Sequence, residues 1–288
     1  MSRVAIATSR FAQPGARGGL EVHEDVDSPM VINALRVLGV EARLETWDDE
    51  DVDWESYDLV VVRSTWGYAR VRDQFLAWAR ARPHLVNPYD VIEYCTDKHY
   101  LGDLFDQGLP VIASTYCEVG DEPVFPDGDV VVKPTVGAGS VDAARFTSTQ
   151  LDAAREHVAR LHAGGRCALI QPYVHSIDDN GERALVFIDG EFSHAMTKRA
   201  MLNVAPEDRD GDFRNRQMSP ARGEAGAIEV AHQFLSGRLA GLTYGRVDLV
   251  ATPEGWRLME LELVEPALYL GYDDRATARL TRAIVARL

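Results

Sequence analysis

Short apolar runs alternate with helical patterns through roughly the first ninety residues, and this alternation is the feature that most constrains the fold. It predicts a strand at Val4–Thr8, a helix at Ser28–Leu38, and strands at Ala42–Thr46 and Tyr57–Arg63. The run Leu59–Val62 is continuously apolar, as expected for a strand covered on both faces. An alternating strand–helix–strand order of this kind predicts a parallel, Rossmann-like sheet.

Local signals punctuate the first helix. Asp27 or Ser28 can cap its N-terminus, Pro29 suits its first turn, and Gly39 is well placed to end it. These signals favour a helix that connects the first two strands of the sheet.

The chain length of 288 residues suggests more than one domain at roughly 150 residues per domain. Pro83 and Pro88 interrupt the helical pattern, so we place the first boundary near residue 92. The predicted domains are a Rossmann-like domain at residues 1–92, a central subdomain at 93–171 and a C-terminal subdomain at 172–288.

The central segment is predicted to mix helices and strands. Its expected elements are a helix at Asp97–Gln107, strands at Val111–Ser114, Val130–Lys133 and Ala143–Thr147, a helix at Thr149–Ala163, and a strand at Cys167–Gln171.

After Pro172 the pattern changes to hairpins. Strands are predicted at Arg183–Ile188 and Glu191–Lys198, joined by Asp189-Gly190, a pair typical of two-residue hairpin turns. The C-terminal part is therefore expected to be partly antiparallel, and the fold class is α/β, α+β overall.

Composition narrows the function classes. The sequence has 30 Lys and Arg against 45 Asp and Glu, a formal net charge of -15, which argues against nucleic acid and anionic membranes as partners.

No apolar run reaches about 18 residues, and the first residues lack a signal-peptide core. Cys95, Cys117 and Cys167 form no C-x-x-C pair, and the eight histidines show no metal-binding spacing. We therefore predict a cytoplasmic protein.

A lysine at the end of a buried strand is the first candidate for chemistry. Lys133 follows Val130–Val132 and leads into Gly137, Gly139 and Ser140. Lys133 supplies a point charge, and the backbone N–H groups of the loop can approach phosphate oxygens closely. The order differs from a Walker A loop, whose lysine follows its glycines. The alternative is a tight turn with a lysine at its rim.

Acidic residues near the C-terminus form the second candidate. Glu260 and Glu262 alternate with apolar residues on one strand, so they share a face, and a partner strand through Asp248 can add a third carboxylate. Such a cluster suits Mg²⁺, which prefers oxygen ligands. The alternative is a solvated strand face with Leu261 and Leu263 inward.

Taken in chain order, these segments resemble the ATP-grasp superfamily from about residue 96 to the end. The resemblance implies ATP as cofactor with two Mg²⁺ ions, Mn²⁺ being a substitute. It assigns ATP contacts to Lys98, Lys133 and the glycine-rich loop, and adenine binding to a hinge formed by Gln171, Pro172, Tyr173 and Val174. It assigns the metal to Asp248, Glu260 and Glu262.

Further residues match the superfamily less specifically. Glu182 and Arg183 begin a strand where relatives carry groups beside the nucleotide, and Lys198 ends the returning strand where relatives carry a basic phosphate contact. Surface charge on a hairpin is the alternative for each. Arg246 shares a face with Asp248, where an arginine can stabilise the oxyanion formed when an acyl phosphate is attacked. Lys198 and Arg246 are the predicted catalytic residues.

Within the superfamily, the sequence resembles a branch that includes cycloserine-forming ligases. The similar strings are Arg63–Tyr68, Phe187–His194 and Met259–Pro266, and Glu262 stands where glutathione-synthetase-like and ribosomal-protein glutamate ligases usually have Asn. The resemblance implies a carboxylate–amine ligase that proceeds through an acyl phosphate and closes a ring in an O-ureido-serine-like substrate. A ligase that joins two amino acids and a non-catalytic ATP-binding scaffold are the alternatives.

The substrate is expected to be a small amino-acid-like molecule. Arg63, Ser64 and Trp66 are the candidate substrate residues because ligands of open α/β sheets bind beyond the carboxyl ends of the strands; packing is the alternative. The charged segment Asp208–Arg216 is predicted to be a loop whose Arg214 and Arg216 can close over an anionic substrate. A homodimer is compatible with the sequence.

Overall fold

The computed structural model describes residues 2–12, 25–203 and 217–288, and the strands within these ranges form three sheets. Loop residues Arg214 and Arg216 lie outside the described residues. In the described part of the chain, no helix has the length and apolar character needed to cross a membrane.

The N-terminal sheet is four-stranded and parallel, as the strand–helix alternation predicts. Its spatial order is β2-β1-β3-β4, and every residue of β3 is buried. The elements are β1 (Arg3–Thr8), α1 (Asp27–Val37), β2 (Glu41–Thr46), β3 (Leu59–Ser64), α2 (Arg72–Arg80), β4 (Leu85–Val86) and α3 (Tyr89–Cys95).

The start of α1 differs from the predicted cap. Asp25, rather than Asp27 or Ser28, accepts the backbone N–H groups of Asp27 and Ser28, at 3.1 and 3.0 Å. The Asp27 carboxylate instead accepts the N–H groups of Leu268 and Leu270, both at 2.9 Å. Local sequence signals predict Asp27 as a cap. In the structure its carboxylate instead binds a segment more than two hundred residues away and so connects the start of α1 to the residues that follow β13.

The central sheet is antiparallel, in the order β5-β8-β6-β7, with α5 packed against it. Its apolar core includes Val130, Val132, Val158, Leu161 and Ile170. The elements are α4 (Tyr100–Asp106), β5 (Thr115–Cys117), β6 (Val130–Pro134), β7 (Ala144–Phe146), α5 (Leu151–Ala163) and β8 (Ala168–Pro172).

Two predicted boundaries in this segment are wrong. The strand expected at Val111–Ser114 begins at Thr115, because Ile112 donates its N–H to Leu258 O at 3.1 Å and so pairs with a different sheet. The helix expected from Asp97 begins at Tyr100, because the N–H of Lys98 donates to Thr135 O at 2.9 Å. In both cases a long-range backbone hydrogen bond outweighs the local preference.

The C-terminal sheet has five antiparallel strands in the order β11-β10-β9-β12-β13. The predicted Asp189-Gly190 turn is confirmed, with φ of 55° and 78° at its two residues. The elements are α6 (Ser176–Asn180), β9 (Glu182–Ile188), β10 (Glu191–Lys198), β11 (Met218–Ala221), α7 (Ala225–Phe234), β12 (Tyr244–Thr252), β13 (Gly255–Glu262) and α8 (Ala276–Val285).

The two faces of this sheet have different chemistry because side chains alternate along each strand. Leu185, Val247 and Leu261 point to one face and join a core with Ala231 and Phe234 of α7. Residues adjacent to them along the strands point to the opposite face, where the charged side chains lie.

Candidate active site

Six charged side chains lie together on one face of the C-terminal sheet, which we call the charged face. The strand register explains their meeting, since Lys198 pairs with Glu182, Asp248 with Glu260, and Arg246 with Glu262. The set therefore spans four adjacent strands: Lys198 on β10, Glu182 on β9, Arg246 and Asp248 on β12, and Glu260 and Glu262 on β13.

Asp248 is the buried centre of the charged face, with no exposed surface. Arg246 donates to both of its carboxylate oxygens, at 2.8 and 3.0 Å, and also to Glu262 Oε1 at 3.2 Å. Burial alone would raise the pKa of Asp248, but Arg246 and Lys198 lower it to about 2. Asp248 is therefore an anion at neutral pH, and Arg246 is fixed between two carboxylates.

Lys198 connects two of the acids. Its Nζ donates to Asp248 Oδ2 at 2.6 Å and to Glu182 Oε2 at 3.1 Å. Burial disfavours the charged ammonium, yet the pKa of Lys198 is raised above its usual value because Asp248 and Glu182 outweigh burial. The side chain remains a cation.

Lys98 reaches the charged face from the segment before α4. Its Nζ lies 2.9 Å from Glu260 Oε1 and donates to Gly137 O of the glycine-rich loop at 2.5 Å. Burial opposes ionisation of Glu260, but Lys98 and Lys133 lower the pKa of this carboxyl. Lys98 thus brings the loop and the acidic strand to one place.

Lys133 differs from the other two lysines because no carboxylate of the described residues forms an ion pair with it. Burial lowers its pKa, and the nearby Lys98 and Lys198 act in the same direction against the charge of Glu260. Lys133 is therefore the lysine of this group whose amino group is not already paired with a carboxylate of the described residues.

Lys98, Lys133 and Lys198 are the only lysines in the sequence. All three meet around Glu260 although they come from three distant segments. The scarcity of lysine in the sequence is therefore an indicator of this site that the individual motifs do not contain.

Two consecutive residues of the glycine-rich loop have left-handed backbone conformations, which suit glycine and are uncommon for serine. Gly139 has φ of 63°, and Ser140 has φ of 59°, in the left-handed region. A Cβ on Gly137 would lie 3.0 Å from the Pro134 ring, so a larger residue would require a small shift of that ring.

The predicted hinge joins the central and C-terminal sheets. Gln171 is buried, its Nε2 donates to Ser114 Oγ at 2.8 Å, and its Oε1 has no partner among the described residues. The N–H of Tyr173 donates to Asp129 O at 2.8 Å, and Arg145 lies 3.6 Å from the centre of its ring. Pro172 ends β8, and Val174 follows at the start of the connection.

The structure does not bring Arg183 to the charged face. Arg183 points to the opposite side of β9 from Glu182, where it donates to Glu224 at 3.0 Å and to Thr197 Oγ1 at 3.0 Å. Adjacent strand residues face opposite ways, so only Glu182 of this predicted pair can contact a ligand bound there.

Two of the candidate substrate residues, Arg63 and Trp66, contact the backbone that follows β13. Arg63 is 2% exposed and donates to Pro266 O at 2.9 Å, and Trp66 Nε1 donates to Glu265 O at 3.2 Å. Ser64 Oγ lies 2.7 Å from Thr8 Oγ1. Arg63 and Trp66 therefore hold the backbone that follows Glu262, and direct contact with a substrate stays a prediction.

Glu265 lies close enough to the charged face for Glu262 to affect its pKa, but the sequence analysis assigns it no role. It is 4% exposed, and burial followed by the charge of Glu262 raises its pKa to about 8. The pKa of Glu262 is also raised, by burial and by Glu260 and Asp248, against the effect of Arg246. In the sequence, Glu265 is an acid followed by proline shortly after the acidic strand. Strand alternation does not apply there, so it gives no role to this residue.

The three sheets together form an ATP-grasp fold. The N-terminal sheet is parallel, the central antiparallel sheet carries a lysine and a glycine-rich loop, and the C-terminal antiparallel sheet carries the clustered carboxylates. A RimK-domain ATP-grasp protein from Sphaerobacter thermophilus matches with a TM-score of 0.68 at 15% identity, over 99% of this chain and 100% of that one. D-alanine–D-alanine ligase from Bacillus anthracis complexed with ATP matches with a TM-score of 0.68 at 13% identity, over 100% and 96%. These two likenesses concern the fold.

The family follows from closer relatives. The family model described as the N-terminal domain of D-cycloserine synthetase DcsG matches residues 4–87. The cycloserine biosynthesis protein DcsG of Streptomyces lavendulae is 36% identical, over 92% of this chain and 94% of that protein. The chain belongs to the D-cycloserine synthetase family. The crystal structure of D-cycloserine synthetase DcsG matches with a TM-score of 0.87 at 31% identity, over 99% of both chains.

Proposed function

We propose that this protein uses ATP to close a ring in an O-ureido-serine-like amino acid, giving a cycloserine-type product with ADP and phosphate. The observation that carries the proposal is the charged face together with Lys98, where Asp248, Glu260 and Glu262 lie within hydrogen-bonding distance of one or more of the cations Lys98, Lys198 and Arg246. Membership of the D-cycloserine synthetase family supports the substrate class.

The three lysines are the proposed ligands of the ATP phosphates. Lys98 and Lys198 are ion-paired with Glu260 and Asp248, whereas Lys133 has no such partner among the described residues. Polyphosphate would draw all three cations toward itself, and the loop of Gly137, Gly139 and Ser140 would cover it with backbone N–H groups. Adenine would lie along the hinge at Gln171–Val174, whose Gln171 Oε1 has no described partner.

Asp248, Glu260 and Glu262 are the proposed Mg²⁺ ligands. They offer only oxygen donors, which fit a hard divalent cation. Burial, followed by the charges of Glu260 and Asp248, raises the pKa of Glu262, so a bound cation would stabilise its anion. Glu260 and Glu262 have side chains 27% and 21% exposed, which leaves them accessible. When bound, Mg²⁺ would neutralise phosphate charge; two ions, with Mn²⁺ as a substitute, are part of the proposal.

The proposed chemistry has two steps. An oxygen of the substrate carboxylate attacks the γ-phosphorus of ATP, the bond to the β–γ bridging oxygen breaks, and ADP leaves. The substrate nitrogen bonded to the side-chain oxygen then attacks the acyl carbon, the carbon–oxygen bond to phosphate breaks, and phosphate and a proton leave. The carbamoyl group of the ureido substrate stays on the ring nitrogen until reaction with water releases it as carbon dioxide and ammonia. Arg246 would stabilise the intervening oxyanion and Lys198 the transferred phosphoryl group.

Substrate contacts would come from Arg63, Ser64 and Trp66 or from the backbone that they hold. The domain limits at residues 92 and 171, a homodimer and a cytoplasmic location stay predictions, as does the absence of a nucleic-acid partner.

The deciding experiment is ADP release with a panel of carboxylates, combined with mass spectrometry of the product. We expect ADP formation with O-ureido-serine alone and a cyclic product. ADP formation only with pairs of amino acids would support the intermolecular ligase instead, and none with any carboxylate would support a non-catalytic scaffold.

The three lysines allow an independent test of the ATP site. An amine-reactive reagent can label only these side chains and the chain terminus. We expect Mg-ATP to protect Lys98, Lys133 and Lys198 from labelling, as measured by peptide mapping. Equal labelling with and without Mg-ATP would contradict the phosphate assignment.

A further inference from the structure

His99, Glu118 and Cys167 meet at one place outside the charged face, although spacing arguments assign no metal to any histidine or cysteine. His99 Nε2 lies 3.1 Å from Glu118 Oε1 and 3.8 Å from Cys167 Sγ, and Cys167 Sγ lies 3.5 Å from Glu118 Oε1. One nitrogen, one oxygen and one sulfur donor therefore form a small triangle.

The imidazole of His99 is oriented so that each of its two nitrogens faces a carboxylate. His99 Nδ1 lies 2.6 Å from Asp97 Oδ1, so a proton on Nδ1 is bound by that carboxylate. Nε2 then faces a second carboxylate, that of Glu118, and a carboxylate can only accept. A cation placed between Nε2 and Glu118 would give both of these groups a partner. Tyr116, stacked 4.4 Å from the His99 ring, restrains the orientation of the imidazole.

The spacing of the donors fits a tetrahedral metal ion. Zinc bonds of about 2.0–2.3 Å to nitrogen, oxygen and sulfur at tetrahedral angles place the donor atoms about 3.3–3.6 Å apart. The three separations of 3.1, 3.5 and 3.8 Å bracket this range. Small side-chain rotations would therefore equalise them, with no movement of the backbone.

We propose that His99, Glu118 and Cys167 bind one Zn²⁺ ion, with water as the fourth ligand. Asp97 would fix the imidazole from behind, an arrangement common for metal-binding histidines. His99 and Glu118 have side chains 41% and 60% exposed, so an ion can enter from solvent. A thiolate, an imidazole and a carboxylate suit zinc, whereas the all-oxygen charged face suits Mg²⁺.

The position of this site gives it a structural consequence. Lys98 immediately precedes His99 and donates its N–H to Thr135 O at 2.9 Å, and Thr135 donates its N–H to Cys167 O at 3.1 Å. An ion held by His99 and Cys167 would strengthen this connection between the Lys98 segment and the central sheet. The proposal does not depend on which substrate the enzyme takes.

The test is a Co²⁺ titration of chelator-treated protein in excess Mg²⁺, which fills carboxylate sites. We expect one equivalent of Co²⁺ to give an intense thiolate-to-cobalt absorption band in the near ultraviolet, together with visible bands of tetrahedral intensity. Cys167→Ser should lose the thiolate band, and the exposed-histidine control His84→Gln should keep it. No band in the parent protein, or a band that persists in Cys167→Ser, would overturn the proposal.

Zn²⁺ affinity provides a second measurement, by competition with a chromophoric chelator. Glu118→Gln changes an exposed side chain, so we expect the variant to fold and to bind Zn²⁺ at least about 10-fold more weakly; Asp97→Asn should weaken binding about 10- to 100-fold. Circular dichroism verifies folding. Unchanged Zn²⁺ affinity in folded Glu118→Gln would contradict the assignment. These readouts use no ATP and no substrate, so they are independent of the ligase proposal.

Discussion

The charged face of the C-terminal sheet and the carboxyl edge of the N-terminal sheet both carry polar side chains on strands, but they differ in how these side chains are partnered. On the charged face, Arg246 and Lys198 saturate Asp248. At the carboxyl edge, buried polar atoms have no hydrogen-bond partner among the described residues: Ser9 Oγ, Asp25 Oδ2, Ser28 Oγ, Arg63 Nε and Nη1, and Thr65 Oγ1.

Buried polar groups without partners are costly, so a protein keeps them only where another requirement applies. The charged face is assembled before any ligand arrives, with its cations already bound to its acids. Ligand binding there must exchange partners, whereas a polar ligand at the carboxyl edge would meet donors and acceptors that have no partner among the described residues.

The largest expected effect is on the charged face. Glu260→Gln removes a carboxylate charge while keeping the shape, so we expect a loss of substrate-dependent ADP formation on the order of 100- to 1,000-fold. Glu254→Gln, in the exposed turn between β12 and β13, is the matched control and should retain full activity. Full activity in Glu260→Gln would remove the basis for the metal-site assignment.

The second prediction concerns pH and the buried Glu265. Its pKa is about 8 in the folded protein, against 4.5 for an ordinary glutamate. Between these values the folded state holds a proton that the unfolded state has lost, so the stabilising effect of that proton disappears as the pH rises toward 8. We expect the unfolding free energy, measured with urea in the absence of metal and ATP, to fall by on the order of 2 kcal/mol between about pH 6 and pH 8.

The control for this measurement is Glu265→Gln, which has no titrating group at this position. The variant should show a smaller fall over the same pH range. Parallel curves for the two proteins would show that Glu265 is not protonated in the folded state.

The third prediction concerns Lys133, the lysine without an ion-pair partner among the described residues. Replacing it with Met removes one charged contact to phosphate, so the Kd for ATP should rise on the order of 10- to 100-fold by titration calorimetry. Arg155→Met, an exposed cation on α5 of the same subdomain, should leave the Kd unchanged. Equal affinities in both variants would argue against the phosphate role of Lys133.

The charged face was more predictable from sequence than the carboxyl edge, for a physical reason. Alternation on a strand assigns Glu260 and Glu262 to one face without knowledge of any other segment. The partners of Asp27 and Arg63, by contrast, lie near residue 268 and at Pro266, and no local pattern specifies such pairings. The meeting of His99, Glu118 and Cys167 belongs to the same class, because three segments far apart in sequence determine it.

The smallest expected effect tests whether the polar groups at the carboxyl edge that have no described partner bind a ligand. Thr65→Val removes a buried hydroxyl without a described partner and keeps the side-chain shape, so the unfolding free energy should rise by about 1 kcal/mol. Thr8→Val, the matched control on β1, breaks the 2.7 Å contact with Ser64 and should lower it by about 1 kcal/mol. If the Thr65 hydroxyl contacts substrate, Thr65→Val will also raise KM for the amino acid while the KM for ATP stays constant. A more stable variant with both KM values unchanged would show that the hydroxyl at this edge has no part in substrate binding.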